Sequence, residues 1–178
     1  MAYTVPEAHT IEHGVILLDL DASSSAMEHD LGYTVRTITG KEFVYVQVAS
    51  ANVVTYAGYP AYWMSGSSEY LTTSDADVAQ ENDGTDGPIG CTFAGVFTCA
   101  IAAVSGAGGA MCFAWIQTKG EVPDASISTG VAAQEVLLAE ADTYLNTYST
   151  ASESSSYAIA YALEAGTSGF GDIMLLDR

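Results

Sequence analysis

The stretch Cys112–Val122, with the sequence CFAWIQTKGEV, decides how the rest of this chain is interpreted. It overlaps the end of a segment, Pro88 to Thr118, that contains no charged residue, although the chain has a formal net charge of −18. As a strand it predicts one face made of Cys112, Ala114, Ile116 and Thr118 and another made of Phe113, Trp115, Gln117 and Lys119. Trp115 is then a core or interface anchor. We expect the strand to emerge into water and turn at Gln-Thr-Lys-Gly.

The uncharged segment could also be a membrane span, because it is long enough to cross a bilayer. Its centre, SGAGG, favours a turn, and no cluster of Lys or Arg flanks it to orient a spanning helix. Two buried strands joined by a Gly-rich turn explain more of its detail. We therefore predict no membrane partner.

The fold class follows from the many short β-rich runs and the turn residues between them. YTVRTITGKEFVYVQV predicts a hairpin around Thr39-Gly40-Lys41, with Val44, Val46 and Val48 on one face of its second strand. Similar runs recur to the end of the chain, which predicts an all-β fold: a single sandwich or barrel-like domain of short antiparallel strands. VAAQEVLLAEADTYLNTY leaves a helix open, because its apolar residues also fit helical spacing.

The first thirty residues differ from the rest in composition and in hydrophobic pattern. A short apolar run, VILLDL, lies between polar segments, which predicts an extended N-terminal arm over residues 1–30 with one anchoring strand. Residues 31–178 form the predicted β-rich domain, with an acidic loop at 74–87. The best candidate for a partner-binding strand in the arm is Val15, Ile16, Leu17 and Leu18.

Charge excludes some classes of partner. The chain has four basic and 22 acidic residues, and such a surface repels phosphate backbones and anionic lipids, so we predict no nucleic-acid binding. It favours solubility and repulsion between copies. The three cysteines, Cys91, Cys99 and Cys112, form no CxxC pair, and we expect them to be buried free thiols.

Motifs that could carry chemistry are weak. His9, Glu12 and His13 match H-x-x-E-H, but Pro6 and Gly14 leave no room for the helix that a zinc protease needs. The acidic loop fails the EF-hand pattern, although a calcium site near Asp83 and Asp86 stays open. We predict no catalytic residue, no metal and no cofactor. Tyrosines near Trp63 suit strand packing, sugar binding or protein contacts.

A family resemblance appears when four segments are taken in order: Leu31-Gly32 with GKEFVYVQV, NVVTYAGYPAYW, AMCFAWIQTKGEV, and YAIAYALEAG before a closing IMLLD. They resemble the strand signatures of capsid decoration proteins of tailed bacteriophages, also called cement or head-stabilising proteins. Phe113-Ala114-Trp115-Ile116-Gln117 stands where that family has Tyr-Gly-Trp-Val-Gln, and Ala160-Tyr161-Ala162-Leu163 stands where it has Gly-x-Ala-Leu. The resemblance covers about Leu31 to Asp177. It departs at Ser74 to Gly87 and before Leu31.

The resemblance implies a non-enzymatic virion structural protein on the outer surface of an icosahedral capsid. It implies a homo-oligomer, often a trimer, that bridges subunits of the major capsid protein. It also favours a strand rather than a helix over Val136 to Ala139. Two alternatives stay open: another phage structural module of the tail or fibre, and a carbohydrate-binding β-sandwich that uses Trp63 or Trp115.

Overall fold

The structure, a computed structural model, describes residues 20–49, 54, 56–64, 70–74, 93–101, 112–139, 144–147 and 158–176. Within these residues every regular element is a strand, and no helix is long and apolar enough to cross a membrane. The strands are β1 Thr34–Arg36, β2 Glu42–Val48, β3 Pro60–Trp63, β4 Leu71–Thr73, β5 Phe93–Phe97, β6 Cys112–Ser126, β7 Val136–Ala139, β8 Leu145–Thr147, β9 Ala160–Ala162 and β10 Phe170–Leu175.

Five strands form a closed barrel in the order β2-β4-β3-β5-β6, and β6 pairs back onto β2. The closing ladder is antiparallel and runs from Glu42 opposite Lys119 to Val48 opposite Cys112. Strand β4 is parallel to β2 and antiparallel to β3. β1 pairs with the first residues of β2 across the predicted hairpin turn.

A second sheet grows from the other half of β6, in the order β6-β10-β9-β7-β8. The β2 ladder ends at Lys119 and the β10 ladder begins at Gly120, so one fifteen-residue strand serves both sheets. An isolated bridge between Ile127 and Leu145, with the Ser128 N–H donating to the Leu145 carbonyl at 2.8 Å, brings the two ends of this sheet together. Joining the ends in this way shields strand edges that would otherwise be open to pairing.

Three apolar clusters occupy the barrel and its two covered outer surfaces. The barrel interior contains Val46, Val48, Ala114 and Ile116. The outer side of the β2–β6 pair contributes the residues of the opposite parity, among them Phe43, Tyr45, Phe113 and Trp115. The outer side of β3 and β5 packs against the second sheet through Tyr62, Phe93, Val96, Leu137, Leu145 and Ile173. Strand β2 and the first half of β6, Cys112 to Gln117, therefore carry buried side chains on both faces.

The all-β fold is confirmed, and the hairpin turn lies where the sequence predicts it, with Gly40 at a φ of 83°. The predicted face assignment of β6 also matches the two clusters. Val136–Ala139 is a strand, not part of a helix, because Leu137 and Leu138 are both buried between neighbouring strands.

One expectation is wrong. The strand does not emerge into water and turn at Gln-Thr-Lys-Gly: Gln117 is only 4% exposed, and β6 continues to Ser126. The physical reason is that a second sheet, contributed by residues after 126, pairs with the backbone that would otherwise face solvent.

Candidate functional site

Two residues, Gln117 with its buried side-chain amide and Gly120, shape β6 where it passes from the barrel to the second sheet. The Gln117 Nε2 donates to the Lys119 carbonyl at 3.0 Å and to the Glu121 carbonyl at 2.9 Å. Gly120 lies between these residues with a φ of 89°, and a Cβ there would lie 3.2 Å from the Lys41 Cα. The buried amide thus donates to two backbone carbonyls at the bend where β6 stops pairing with β2 and starts pairing with β10.

Residues 20–31 cross the outer face of the barrel, and we call them the strap. Ser24 and Phe113 exchange two backbone hydrogen bonds, at 2.9 and 2.8 Å. The Thr98 hydroxyl donates to the Leu20 carbonyl, and the Leu20 side chain is buried. Most of the strap comes from the predicted arm, whose residues 20–30 therefore lie against the domain.

The strap covers a group of aromatic rings around Trp115. The His29 ring lies 5.4 Å from the Trp115 ring, 5.2 Å from Tyr45 and 5.7 Å from Tyr33, measured between centroids. The Glu28 N–H donates to the Tyr45 hydroxyl at 3.2 Å. Trp115 is 2% exposed, so it is a core residue, as one of the two predicted roles requires.

Burial also governs the titrating groups beneath the strap. Desolvation raises the pKa of Tyr45 above its ordinary value; the Glu28 N–H that donates to the hydroxyl opposes this rise, and the Glu28 carboxylate adds to it. Desolvation likewise raises the pKa of the Cys112 thiol. Cys99 and Cys112 are buried free thiols, as predicted, and Cys91 lies outside the described residues. Both thiols are packing residues.

Three cations gather at the end of the barrel where β2 begins. Arg36 is paired across the hairpin with Glu42 and bonds its carboxylate, and Glu42 is in turn paired with Lys119 on β6. Lys41 is the neighbour of Glu42 and packs against Gly120. We call Arg36, Ile38, Lys41 and Lys119 the basic end. Sequence reasoning missed it because the β2–β6 register was not known.

Two clefts open at this end. The larger, of about 520 Å³, lies between the hairpin turn and the bend of β6 and is lined by Lys41, Lys119, Glu121 and Leu175, among others. The smaller, of about 270 Å³, is lined by Glu42, Trp63, Thr118 and Lys119. The Glu42 carboxylate is already engaged, because Thr118 donates to its Oε1 at 3.4 Å and Arg36 bonds its Oε2.

The residues predicted to bind a partner, Val15, Ile16, Leu17 and Leu18, lie outside the described part of the chain, as do His9, Glu12, His13 and residues 75–87. Among the described residues, no group of three or more His, Cys, Asp or Glu could hold a metal ion. Leu20, two residues after Leu18, packs in one cluster with Phe113 and Trp115 of β6.

No protein-family model matches the chain, and no curated protein matches it.

Proposed function

We propose that this protein is a non-enzymatic capsid decoration protein that binds the outer surface of an icosahedral phage shell and bridges subunits of the major capsid protein. It acts as a homo-oligomer, with a trimer as the expected form. It needs no cofactor, because its task is attachment. Multiple weak contacts to neighbouring subunits stabilise the shell through avidity.

The observation that carries the proposal is where the strand signatures fall. GKEFVYVQV supplies β2, and FAWIQTKG supplies the barrel half of β6 together with the bend. These two segments pair with each other to close the barrel. The later signatures, Ala160-Tyr161-Ala162-Leu163 and IMLLD, overlap β9 and β10, which are neighbouring strands of the second sheet. The segments that resemble the phage family thus supply the pair that closes the barrel and two neighbouring strands of the second sheet.

The position of the strap supports a mechanism for attachment. The strap follows the predicted arm strand in sequence and is hydrogen-bonded to β6 through Ser24 and Phe113. An apolar run at Val15 to Leu18 can add to an exposed strand edge of a capsid subunit, with backbone hydrogen bonds giving affinity and side-chain pockets giving specificity. The net charge of −18 keeps decorated particles apart in solution.

Copy number tests the proposal most directly. We expect quantitative mass spectrometry of purified particles from the source to find hundreds of copies, in a simple ratio to the major capsid protein. A few copies per particle would instead indicate a tail or fibre component. Absence from particles would overturn both assignments.

One observation favours a second candidate, carbohydrate binding. Trp63 lines the smaller cleft together with the Thr118 hydroxyl, and aromatic rings beside polar groups suit sugar recognition. Trp115 cannot serve, because it is buried. Saturable glycan binding that is lost in Trp63→Ala and retained in Trp115→Phe would support this candidate. No binding across a glycan array would exclude it.

A further inference from the structure

The second sheet buries one of its faces and leaves part of the other exposed. Ile173 and Leu175 of β10 point into the core and are at most 3% exposed. Phe170, Asp172 and Met174 alternate with them and are partly exposed, because successive side chains of a strand point to opposite faces. This side of β10 therefore belongs to the outer surface of the domain.

Apolar side chains of three strands lie side by side on this outer surface. Val136 on β7 is paired with Tyr161 on β9, and Tyr161 is paired with Met174 on β10. Residues that are paired directly across strands share a face, so these three form one row. Leu163 follows β9 and extends the patch towards Asp172, since its N–H donates to the Asp172 carbonyl at 2.8 Å.

Tyr56, which precedes β3, extends the patch beyond the sheet. The centroid of its ring lies 5.9 Å from that of the Phe170 ring. Six large apolar side chains are exposed among the described residues, and three of them belong to this patch: Tyr56 at 56%, Val136 at 44% and Leu163 at 37%. Apolar residues that are exposed as a group mark a surface for another molecule. We call the patch the apolar face: Tyr56, Val136, Tyr161, Leu163, Phe170 and Met174.

The part of the chain that contains the second sheet is strongly acidic. After Lys119 the sequence has one basic residue, Arg178, which lies outside the described residues. The same stretch has nine acidic residues: Glu121, Asp124, Glu135, Glu140, Asp142, Glu153, Glu164, Asp172 and Asp177. A partner of this sheet therefore meets an excess of carboxylates.

Three of these carboxylates lie on or beside the apolar face. Asp172 shares the outer side of β10. Asp124 is exposed, and its N–H donates to the Asp172 carboxylate at 3.1 Å, which places it next to β10. Glu164 is exposed and directly follows Leu163. Apolar side chains with a charged rim are the usual composition of a protein–protein interface.

The lysines that approach the apolar face do so at one end. Lys41 and Lys119 line the larger cleft together with Met174 and Glu121, and Lys119 is already engaged by a further interaction within the chain. The other end of the apolar face, at Tyr56, is the end flanked by acidic residues. Its electrostatic character is therefore set by carboxylates.

These observations select the chemistry of the partner. Sugars stack on aromatic rings, whereas the apolar face also presents the aliphatic side chains of Val136 and Leu163, which suit an apolar protein surface. A second copy in a two-fold contact would bring identical carboxylates together, and like charges oppose that contact. An apolar depression with lysine or arginine at its rim is complementary to both parts of the patch.

We propose that the apolar face is the surface by which the domain docks on its shell, and that it contacts an apolar depression of the major capsid protein with lysine or arginine at its rim. This inference rests on the proposed function and adds the docking face and the chemistry of its partner. Tyr56 and Leu163 enter the depression, and Asp124 and Glu164 bond the basic side chains around it. The arm supplies a second contact, and the two together raise avidity.

The apolar contact is tested with two matched double variants. Tyr56→Ser/Leu163→Ser removes two side chains of the apolar face at positions outside regular strands. Met27→Ser/Ile38→Ser is the control, because these side chains are exposed by 58% and 67% and belong to the strap and the hairpin turn. Binding to capsids stripped of this protein is measured by cosedimentation, after thermal melting has shown which variants fold. We expect binding about tenfold weaker for the first variant and unchanged for the second.

The charged rim is tested in the same assay with a pair of variants of equal charge. Asp124→Asn/Glu164→Gln and Glu28→Gln/Asp30→Asn both change the formal net charge from −18 to −16. We expect weaker binding only for the first pair, together with a smaller loss of binding when salt is raised. Equal effects of the two pairs would show that net charge alone matters and would overturn the proposed rim.

The remaining outcomes separate this inference from the proposed function. Wild-type binding that neither Tyr56→Ser/Leu163→Ser nor Asp124→Asn/Glu164→Gln weakens would overturn the apolar face as the docking surface. Loss of self-association in the serine variant, measured by sedimentation velocity, would assign the face to contacts between copies, and loss of binding to a glycan array would assign it to sugars; either result overturns capsid docking. Should the serine variant fail to fold, the charge pairs decide. Wild-type protein that does not bind capsids at all would instead overturn the proposed function.

Discussion

Gln117 and Gly120 act together: the buried amide of Gln117 spans Gly120 and donates to the carbonyls on either side of it, at 3.0 and 2.9 Å. The bend lets one strand leave a closed barrel and enter a second sheet without orphaned carbonyls. This pair accounts for the sequence Gln-Thr-Lys-Gly at the end of the uncharged segment.

Replacing the amide should destabilise the fold. Gln117→Leu keeps the approximate size of the side chain and leaves the carbonyls of Lys119 and Glu121 without this donor, at an expected cost of about 1–3 kcal/mol. The free energy of unfolding, from urea titration, measures this loss. Gln134→Leu is the control, because Gln134 is exposed. Similar costs at both positions would contradict a special role for the Gln117 amide.

Gly120 should tolerate alanine poorly, for two separable reasons. A positive φ costs a non-glycine residue about 1–2 kcal/mol, and at Gly120 an added Cβ would also lie 3.2 Å from the Lys41 Cα. Gly130 has a φ of 94° with no atom within 4 Å of an added Cβ, so Gly130→Ala reports the backbone term alone. Urea unfolding should show a larger loss for Gly120→Ala. A loss no larger than at Gly130 would remove the steric contribution.

Alkaline pH should weaken the domain through Tyr45 and Cys112. Both have a folded-state pKa raised above the ordinary values of 10.0 and 9.0. The unfolded chain therefore releases these protons first, so their contribution to stability is complete below pH 9.0 and is lost as pH rises through 9.0 and 10.0 towards the raised values.

Unfolding free energies measured from about pH 7 to 11 test this sign. Tyr45→Phe should flatten the decline above the ordinary tyrosine pKa, whereas Tyr33→Phe, at a residue that is 44% exposed, should leave it unchanged. If stability declines equally with pH in the wild type, Tyr45→Phe and Tyr33→Phe, ionisation of Tyr45 is not a source of the decline.

The strap should divide the predicted arm into two functional parts. Deleting residues 1–19 keeps Leu20 and the rest of the strap, so the domain should stay folded while capsid attachment is lost. Deleting residues 1–30 also removes Leu20, whose side chain is 1% exposed, and the backbone partner of the Tyr45 hydroxyl. Losing a buried leucine alone costs about 2–5 kcal/mol.

Fluorescence distinguishes the two truncations. The chain has two tryptophans, so in a Trp63→Phe background Trp115 is the only source of tryptophan emission. We expect unchanged emission after deletion of 1–19 and a red shift after deletion of 1–30, because the strap excludes water from the Trp115 ring. A red shift in the shorter truncation would place the boundary of the folded domain before residue 20.

Local pattern was enough to predict the hairpin and the faces of β2 and β6, because alternation fixes which side chains share a face. It was not enough at Val136 to Ala139, where a short apolar run fits either period and the resemblance had to choose the strand. Barrel closure joins Glu42 to Lys119, which lie far apart in sequence, and no local signal encodes that register.

The candidate site was less predictable than the fold. The basic end exists only once β6 is paired with β2, although the scarcity of basic residues was visible from the start. Leu20 belongs to the apolar run VILLDL of the predicted arm, and its burial depends on a surface contributed by Phe113 and Trp115, which lie far from it in sequence. Gln117 was expected near water, since an amide is buried only where carbonyls face it.

The undivided course of β6 has a mechanical consequence. Where two parts of a protein contact each other only through side chains, they are expected to move relative to one another. Here the single strand β6 runs from Cys112 in the barrel to Ser126 in the second sheet, and it is hydrogen-bonded to β2 in its first half and to β10 in its second. Rotating the second sheet relative to the barrel would break the backbone hydrogen bonds that β6 makes with β2 or with β10. A force applied to the second sheet is therefore transmitted to the barrel along the backbone of β6, and the two parts move as one rigid body.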